Sequence, residues 1–190
     1  SNPMRGYTTI SNPDLKPETS NSYELGLRGR YSQIDFDLAG FYNKYENFIE
    51  QLVDTGAVGL TTYQTQNVDS AEIFGAELAA SYYFNPEKNG FSLFSALASA
   101  TGDNLTENKP LDSVNPFEAK FGIKYASSNG KWDAKLTNTY VGKARVSDNT
   151  TTFVPNSYNV SDLELTYKPS DKYLISAGIY NLFDEAYYNY

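Results

Sequence analysis

Apolar and polar positions alternate with a period of two along most of this chain. In segment 117–125 the odd-numbered positions are Phe, Ala, Phe, Ile and Tyr, and the positions between them are Glu, Lys, Gly and Lys. This period places successive side chains on opposite faces of a β-strand, and no helical period competes with it. The alternation predicts eight strands, over 22–31, 34–49, 61–84, 91–103, 116–126, 131–146, 158–167 and 173–183.

The connections between these strands alternate in length. Short turns begin after Tyr31, Phe84, Ala126 and Lys168, and longer loops cover about 50–60, 104–115 and 147–157. Outer-membrane β-barrels have short periplasmic turns and longer external loops. A soluble β-sandwich has no reason to sort its connections in this way. The sequence therefore predicts an all-β protein, an antiparallel up-and-down segment of a transmembrane β-barrel.

Composition narrows the possible function classes. The chain has 190 residues, a net charge of −8 and a pI near 4.5, which argue against binding to nucleic acid. It contains no Cys and no His, so we expect neither a metal site nor a His-dependent catalytic centre. No nucleophile, metalloprotease or phosphate-binding motif is present, and we predict that the chain is not an enzyme. No apolar run approaches the 20 or so residues of a transmembrane helix.

Aromatic residues flank the short turns. Tyr and Trp favour the headgroup interface of a membrane, because the body of the ring is apolar and its tip is polar. The alternative is that aromatic residues simply favour strand ends in any β protein. We predict a belt of rings on the periplasmic side, formed by Tyr31, Phe84, Phe91, Tyr125, Trp132, Tyr167 and Tyr173.

Eight strands leave two open edges, and lipid does not tolerate an open sheet edge. We therefore expect these strands to be consecutive members of a larger barrel rather than a closed barrel of their own.

Four stretches resemble TonB-dependent outer-membrane receptors, and they follow one another in that family's order. They are Asn-Pro-Asp-Leu-Lys-Pro-Glu from position 12, Phe-Tyr-Asn-Lys-Tyr-Glu-Asn-Phe-Ile from 41, Gln-Asn-Val-Asp-Ser-Ala-Glu-Ile-Phe-Gly-Ala-Glu-Leu from 66, and Gly-Ile-Tyr-Asn-Leu-Phe-Asp from 178. The resemblance implies that 1–190 is the C-terminal part of a barrel of about 22 strands. It also implies that the plug domain, the early strands and the last strand lie outside this sequence.

The combination of these stretches is most similar to receptors for heme, hemoglobin, transferrin and lactoferrin. The resemblance implies an outer-membrane receptor that takes up heme iron from hemoglobin or another heme carrier. Its partners would be the lipid bilayer, its own plug and TonB, which would engage the N-terminal region. Heme or a ferric siderophore would be transported ligands, with no cofactor resident in this segment. A siderophore or transferrin-iron receptor is the alternative within the family, and a small adhesin or binding module is the alternative outside it.

The resemblance also suggests which residues lie near the ligand. The box that begins at Asn12 follows an external loop in these receptors. Tyr7 is the one residue in 1–11 offered as a possible ligand of heme iron, and an ordinary loop aromatic is the favoured alternative. Apolar residues in loop 50–60 could contact a protein partner or pack against neighbouring loops. The predicted ligand-proximal set is Tyr7, Asn12, Pro13, Asp14, Leu15, Val53, Val58 and Leu60.

Charged positions follow the opposite parity from the apolar ones. We predict that they face the lumen and contact the plug: Glu24, Arg28, Arg30, Asp35, Asp37, Glu118, Lys120 and Lys124. Simple solvation of a polar strand face is the alternative. Three carboxylates in or beside loop 104–115, Asp103, Glu107 and Asp112, lack the spacing of a calcium loop, and we expect them to be solvated.

Overall fold

The computed structural model describes residues 7–56, 61–147 and 153–188, which form ten strands and no helix in these ranges. The all-β prediction is thus confirmed. The strands are β1 (Tyr7–Ile10), β2 (Thr19–Arg30), β3 (Ile34–Asp54), β4 (Thr61–Tyr83), β5 (Gly90–Asn104), β6 (Lys109–Pro110), β7 (Glu118–Ala126), β8 (Trp132–Val141), β9 (Tyr158–Ser170) and β10 (Tyr173–Ile179). No described helix is long and apolar enough to cross a membrane.

Eight strands build one continuous sheet in the order β10-β9-β8-β7-β5-β4-β3-β2, and each pair in it is antiparallel. Each of these strands therefore lies beside its neighbour along the chain, as short connections favour. The two short strands stand off this path: β1 pairs in parallel with β4, and β6 pairs with β5. The predicted up-and-down arrangement is confirmed, whereas β1 and β6 were not predicted.

Strand ends differ from the prediction by four or more residues in three places, and by up to three residues elsewhere. The strand β3 continues to Asp54, beyond the expected end at 49. The strand β8 stops at Val141 rather than 146, one residue before a last bond in the register of the β7–β8 ladder, from the amide of Gly142 to the carbonyl oxygen of Phe117 at 2.8 Å. The strand β10 stops at Ile179 rather than 183. Asn181 adopts a φ of 52° there and its amide donates to Asp162 Oδ1 at 2.8 Å, a left-handed conformation that Asn tolerates.

One face of the sheet is apolar, and none of the described residues covers it. Facing residues of an antiparallel pair project to the same side, and the register aligns rows of large aliphatic side chains. One row across β2–β5 contains Leu27, Leu38, Leu78 and Leu97, and a second across β5–β10 contains Leu93, Ile123, Leu136, Leu163 and Ile179. Leu27 is 61% exposed and Leu25 is 82% exposed. A continuous apolar face of this extent is unfavourable in water and indicates contact with lipid or another apolar surface.

Close packing on the other face depends on glycine. Gly122 lies directly opposite Phe94 in β5, and a Cβ at Gly122 would be 2.7 Å from the Cζ atom of that ring and 2.1 Å from the carbonyl oxygen of Leu136. The ring could turn away, but the carbonyl belongs to the β7–β8 ladder and cannot move without weakening it.

We expect Gly122→Ala to lower the free energy of unfolding by about 1–3 kcal/mol, the usual cost of overpacking. Gly26→Ala is the matched control, because the nearest atom to its Cβ would be the Leu38 carbonyl oxygen at an ordinary 3.6 Å. Thermal unfolding midpoints in detergent micelles compare the two variants, and equal midpoints would show that the contact at Gly122 is relieved without cost.

Candidate functional site

The charged face of the sheet carries a network of ion pairs near the short turns. In β2 and β3, Arg28 lies opposite Asp37 and Arg30 lies opposite Asp35, and both arginines form ion pairs with Asp37. Asp35 binds the Nζ atom of Lys88 at 2.7 Å, which ties β3 to the next short turn. Each of these three cations thus has a carboxylate partner, and the two arginines share Asp37.

The same arrangement continues through β7, β8 and β9. Lys124 lies 3.6 Å from Asp133, Lys135 lies 3.4 Å from Glu164, and Lys120 lies 2.7 Å from Glu118. The register places all eight residues of the predicted lumen-facing set on this one face, since Arg28, Asp37, Ala79, Ala96 and Lys120 form a single row. Their contact with a plug stays a prediction.

A depression of about 600 Å³ lies at the centre of the charged face. Small residues from four adjacent strands form its floor: Gly26, Ala39, Ala79, Ala96 and Ala98. Charged residues surround it: Glu24, Arg28, Asp37, Glu77, Glu118 and Lys120. Among the described residues of this rim, Glu24 and Glu77 are the carboxylates without an ion pair. The depression therefore has two carboxylates available to a partner.

The predicted belt residues lie at the edge of the sheet that carries the short turns. Phe91 faces Tyr125 with ring centroids 5.1 Å apart, and Trp132 stacks on Tyr167 at 4.0 Å. Phe84 meets the ring of Tyr82 at 5.2 Å. Tyr31 stacks against Phe36 at 6.5 Å, and Tyr173 is 68% exposed at the start of β10. Their place at one edge is what a belt requires, and their contact with headgroups stays a prediction.

At the opposite edge, three residues of the predicted ligand-proximal set, Tyr7, Asn12 and Val53, lie along the outer part of β4. Tyr7 lies in β1, and its ring meets the ring of Tyr63 edge-on at 5.6 Å. Asn12 donates to the carbonyl oxygen of Thr65 at 3.1 Å and accepts the amide of Asp14 at 3.0 Å. Three neighbours in the box are exposed: Pro13, Asp14 and Leu15.

The placement of Val53 in a loop was wrong. Val53 is half-buried in β3 opposite Gln64, because β3 and β4 continue to pair beyond a register shift between Glu50 and Val53. Val58 and Leu60, the other two apolar residues predicted for this loop, lie outside the described residues. A role near the ligand stays a prediction for the whole set.

Two outer connections are bound to each other, which sequence reasoning missed. In the β5–β7 connection, Leu111 is 1% exposed and lies over Gly102, where a Cβ would be 3.1 Å from its Cδ1 atom. Asp112 accepts hydrogen bonds from the amide and hydroxyl of Ser147 at 2.5 and 2.9 Å. Arg145 pairs with Asp103 at 2.9 Å. The expectation that these two carboxylates are merely solvated was therefore wrong.

Glu50 lies close to this cluster. The strand β3 has 21 residues, whereas about 9–11 cross a bilayer, so Glu50 lies beyond the spanning part that starts at the short turn before Ile34. Burial raises the pKa of the Glu50 carboxyl, and the negative charges of Asp112 and Glu107 raise it further. The folded cluster therefore binds a proton at Glu50 more readily than the unfolded chain does.

Glu50→Gln should stabilise the outer cluster at neutral pH, where the charged carboxylate is disfavoured by burial. This gain in stability should disappear as the pH falls through the raised pKa toward the ordinary value for Glu, because Glu50 is then protonated in both the folded and the unfolded state. Amide hydrogen exchange of 105–112, corrected for intrinsic rates, measures the effect. Glu87→Gln, in a short turn at the opposite edge, is the control, and equal protection of 105–112 in the two variants at pH 7 would contradict the expectation.

A single-layered antiparallel sheet with one uncovered apolar face, one charged face and sorted connections is a section of a membrane β-barrel wall. A family model described as "TonB dependent receptor-like, beta-barrel" matches residues 2–182. The chain belongs to this family of outer-membrane transport receptors of Gram-negative bacteria.

Two curated relatives illustrate the range of the family. The "Probable hemoglobin and hemoglobin-haptoglobin-binding protein 4" of Haemophilus influenzae is 25% identical over 95% of this chain and 21% of its own length. The "Vitamin B12 transporter BtuB" of Photobacterium profundum is 27% identical over 93% of this chain and 28% of its own length. The chain thus spans between a fifth and three tenths of these relatives.

Solved structures show the same fold. The sheet superposes on a protein described as "Copper transporter OprC" with a TM-score of 0.80 and 27% sequence identity, over 93% of this chain and 27% of that one. The predicted barrel segment is confirmed by this likeness.

Proposed function

We propose that this chain forms late strands in the wall of a TonB-dependent receptor that takes up heme iron, with hemoglobin or another heme-carrying protein as its source. The observation that supports the transport role is the two-faced sheet, apolar toward lipid and charged toward an aqueous lumen. The heme cargo is supported by the four stretches of the sequence and by the similarity to the Haemophilus influenzae protein along 95% of the chain.

In this proposal the outer connections bind the ligand first. The charged face lines the lumen and contacts the plug inside it. TonB, energised across the inner membrane, pulls on the plug and opens a path along the lumen. The cations of the face already have carboxylate partners, so the plug moves past them without supplying a counter-charge. Glu24 and Glu77 at the depression are the carboxylates that a basic side chain of the plug would bind.

Replacing both free carboxylates, as in Glu24→Gln with Glu77→Gln, should loosen the plug, because each loses the charge that a basic partner would meet. Amide exchange in the plug of the full receptor should rise several-fold, while insertion into lipid stays unchanged. Glu46→Gln is the control, since Glu46 is an exposed carboxylate of β3 away from the depression. Unchanged exchange in the double variant would show that the plug does not use these residues.

Cargo is tested by titrating the detergent-purified full receptor with heme and with hemoglobin while following the Soret band and co-elution. A Soret shift with heme, or co-elution with hemoglobin, supports the proposal. The absence of both would overturn it and favour a ferric siderophore, transferrin iron or a corrinoid, each of which the same purified receptor could then be offered.

The hydroxyl of Tyr7 can be tested in the same titration. The ring of Tyr7 is engaged with Tyr63, and we expect this contact to be its role. Tyr7→Phe keeps the ring and removes only the hydroxyl, so the Soret shift should be the same as in the unmodified receptor. A lost or displaced band would instead identify Tyr7 as an iron ligand.

A further inference from the structure

The segment before β2 crosses the outer hairpin instead of running straight into its own strand. In the sheet, β3 lies between β2 and β4, with Thr19 of β2 opposite Glu46 of β3. The strand β1, however, pairs with residues 61–64 of β4. Residues 11–18, which we call the strap, must therefore pass across the β3–β4 hairpin within a few residues.

The crossing uses most of the length that the strap can reach. It covers three strand spacings, or about 14 Å, and also descends from the level of Gln64 to that of Ser70, about 20 Å along the strands. The direct distance is therefore about 24 Å, whereas the nine steps from Ile10 to Thr19 reach about 30 Å when extended. The turn at Pro13 and Asp14 takes up part of the difference, so the point at which the strap is held limits where β1 can lie.

One side chain holds the middle of the strap. Oδ1 of Asn67 accepts the amide of Lys16 at 2.7 Å, and Nδ2 of Asn67 donates to the carbonyl oxygen of the same residue at 3.1 Å. The side-chain amide thus pairs with one strap residue as a neighbouring strand would. Its second donor hydrogen goes to the carbonyl oxygen of Asn47 at 2.7 Å.

The backbone of the β3–β4 hairpin departs from regular pairing where the strap binds to it. Asn47 has a φ of 53°, which directs its carbonyl out of the regular ladder between the Glu46 and Phe48 pairings. The amide of Ile49 donates to Oε2 of Glu18 at 2.9 Å. At the other end of the strap, Nε2 of Gln64 donates to the carbonyl oxygen of Ser11 at 3.0 Å.

These contacts join three of the four family-like stretches, those that begin at Asn12, Phe41 and Gln66. Only an amide of this length supplies an acceptor and two donors at one point. We propose that Asn67 is a positioning residue that holds the strap across the hairpin and so sets β1 at the outer end of the sheet, where ligand is captured. The capture part rests on the proposed function, whereas the positioning part does not.

The positioning part is tested in the full receptor without any ligand. Asn67→Ala removes all three bonds, and amide exchange across 7–18 should become at least tenfold faster. Asn43→Ala is the matched control, an Asn of the same hairpin that faces Ser22 and Ile73 rather than the strap. Exchange across 7–18 that equals that of the control would overturn the proposal.

A second variant distinguishes the loss of the strap bonds from a general loss of the fold. Asn67→Asp keeps the size of the side chain and the acceptor for Lys16 but replaces the two donated bonds by a carboxylate facing two carbonyl oxygens. Its exchange across 7–18 should also rise, while heat resistance in SDS gels should match that of Asn43→Asp. If amide exchange across 7–18 in Asn67→Asp is as slow as in the unmodified receptor, the donated bonds do not hold the strap.

The capture part uses hemoglobin as the probe. Weaker binding by at least tenfold in both Asn67 variants, with the Asn43 variants unchanged, is the expected result. Faster exchange with unchanged hemoglobin affinity would overturn the role in capture. If the unmodified receptor does not bind hemoglobin, the proposed cargo fails, and the exchange measurement still decides whether Asn67 positions the strap.

Discussion

Backbone hydrogen bonding inside a bilayer is the constraint on which this structure depends. No water is present there to satisfy an amide or carbonyl, so each must pair within the protein. Between its two edge strands, β2 and β10, the continuous antiparallel ladder meets this requirement with a single layer. A single layer has almost no interior, and among the described residues the buried apolar side chains are Ala71, Leu111, Ala119 and Val160. Lipid on the apolar face replaces the core that a second layer would provide.

The opposite face of the sheet is charged and must be compatible with water. Its charges are mostly arranged as cross-strand or near neighbours of opposite sign, such as Arg28 with Asp37 and Lys135 with Glu164. Exposed pairs of this kind add little stability. Their consequence is a polar surface whose cations are paired, which suits the proposed contact with a plug that moves. The small residues under the central depression, Ala79 and Ala96 among them, allow such a domain to approach the backbone closely.

Unequal strand lengths determine the structure of the outer mouth. The strands β3 and β4 have 21 and 23 residues, whereas β7 has nine, so the β3–β4 hairpin extends above its neighbours with an edge of β4 left without β5. Exposed strand edges invite pairing with other chains. Here β1 covers part of that edge, and β6 and the chain around Leu111 cover the end of β5. The strap crosses the hairpin because β1 must reach an edge that lies beyond β3.

The alternation of residue types was enough to predict the eight long strands, their antiparallel order, the sorting of short and long connections and the shared face of residues such as Arg28 and Lys120. These features follow from the two-residue period and from the pairing of strands that are consecutive in the chain. Both can be recognised from residues that are close together in sequence. The contacts of Asn67 with Lys16, of Asp112 with Ser147 and of Leu111 with Gly102 could not be predicted in this way. They join residues far apart in sequence, through single side chains that meet backbone or loop atoms, and no local period marks such a pair. Their partners depend on how far each strand extends above the membrane, which is a property of the assembled sheet.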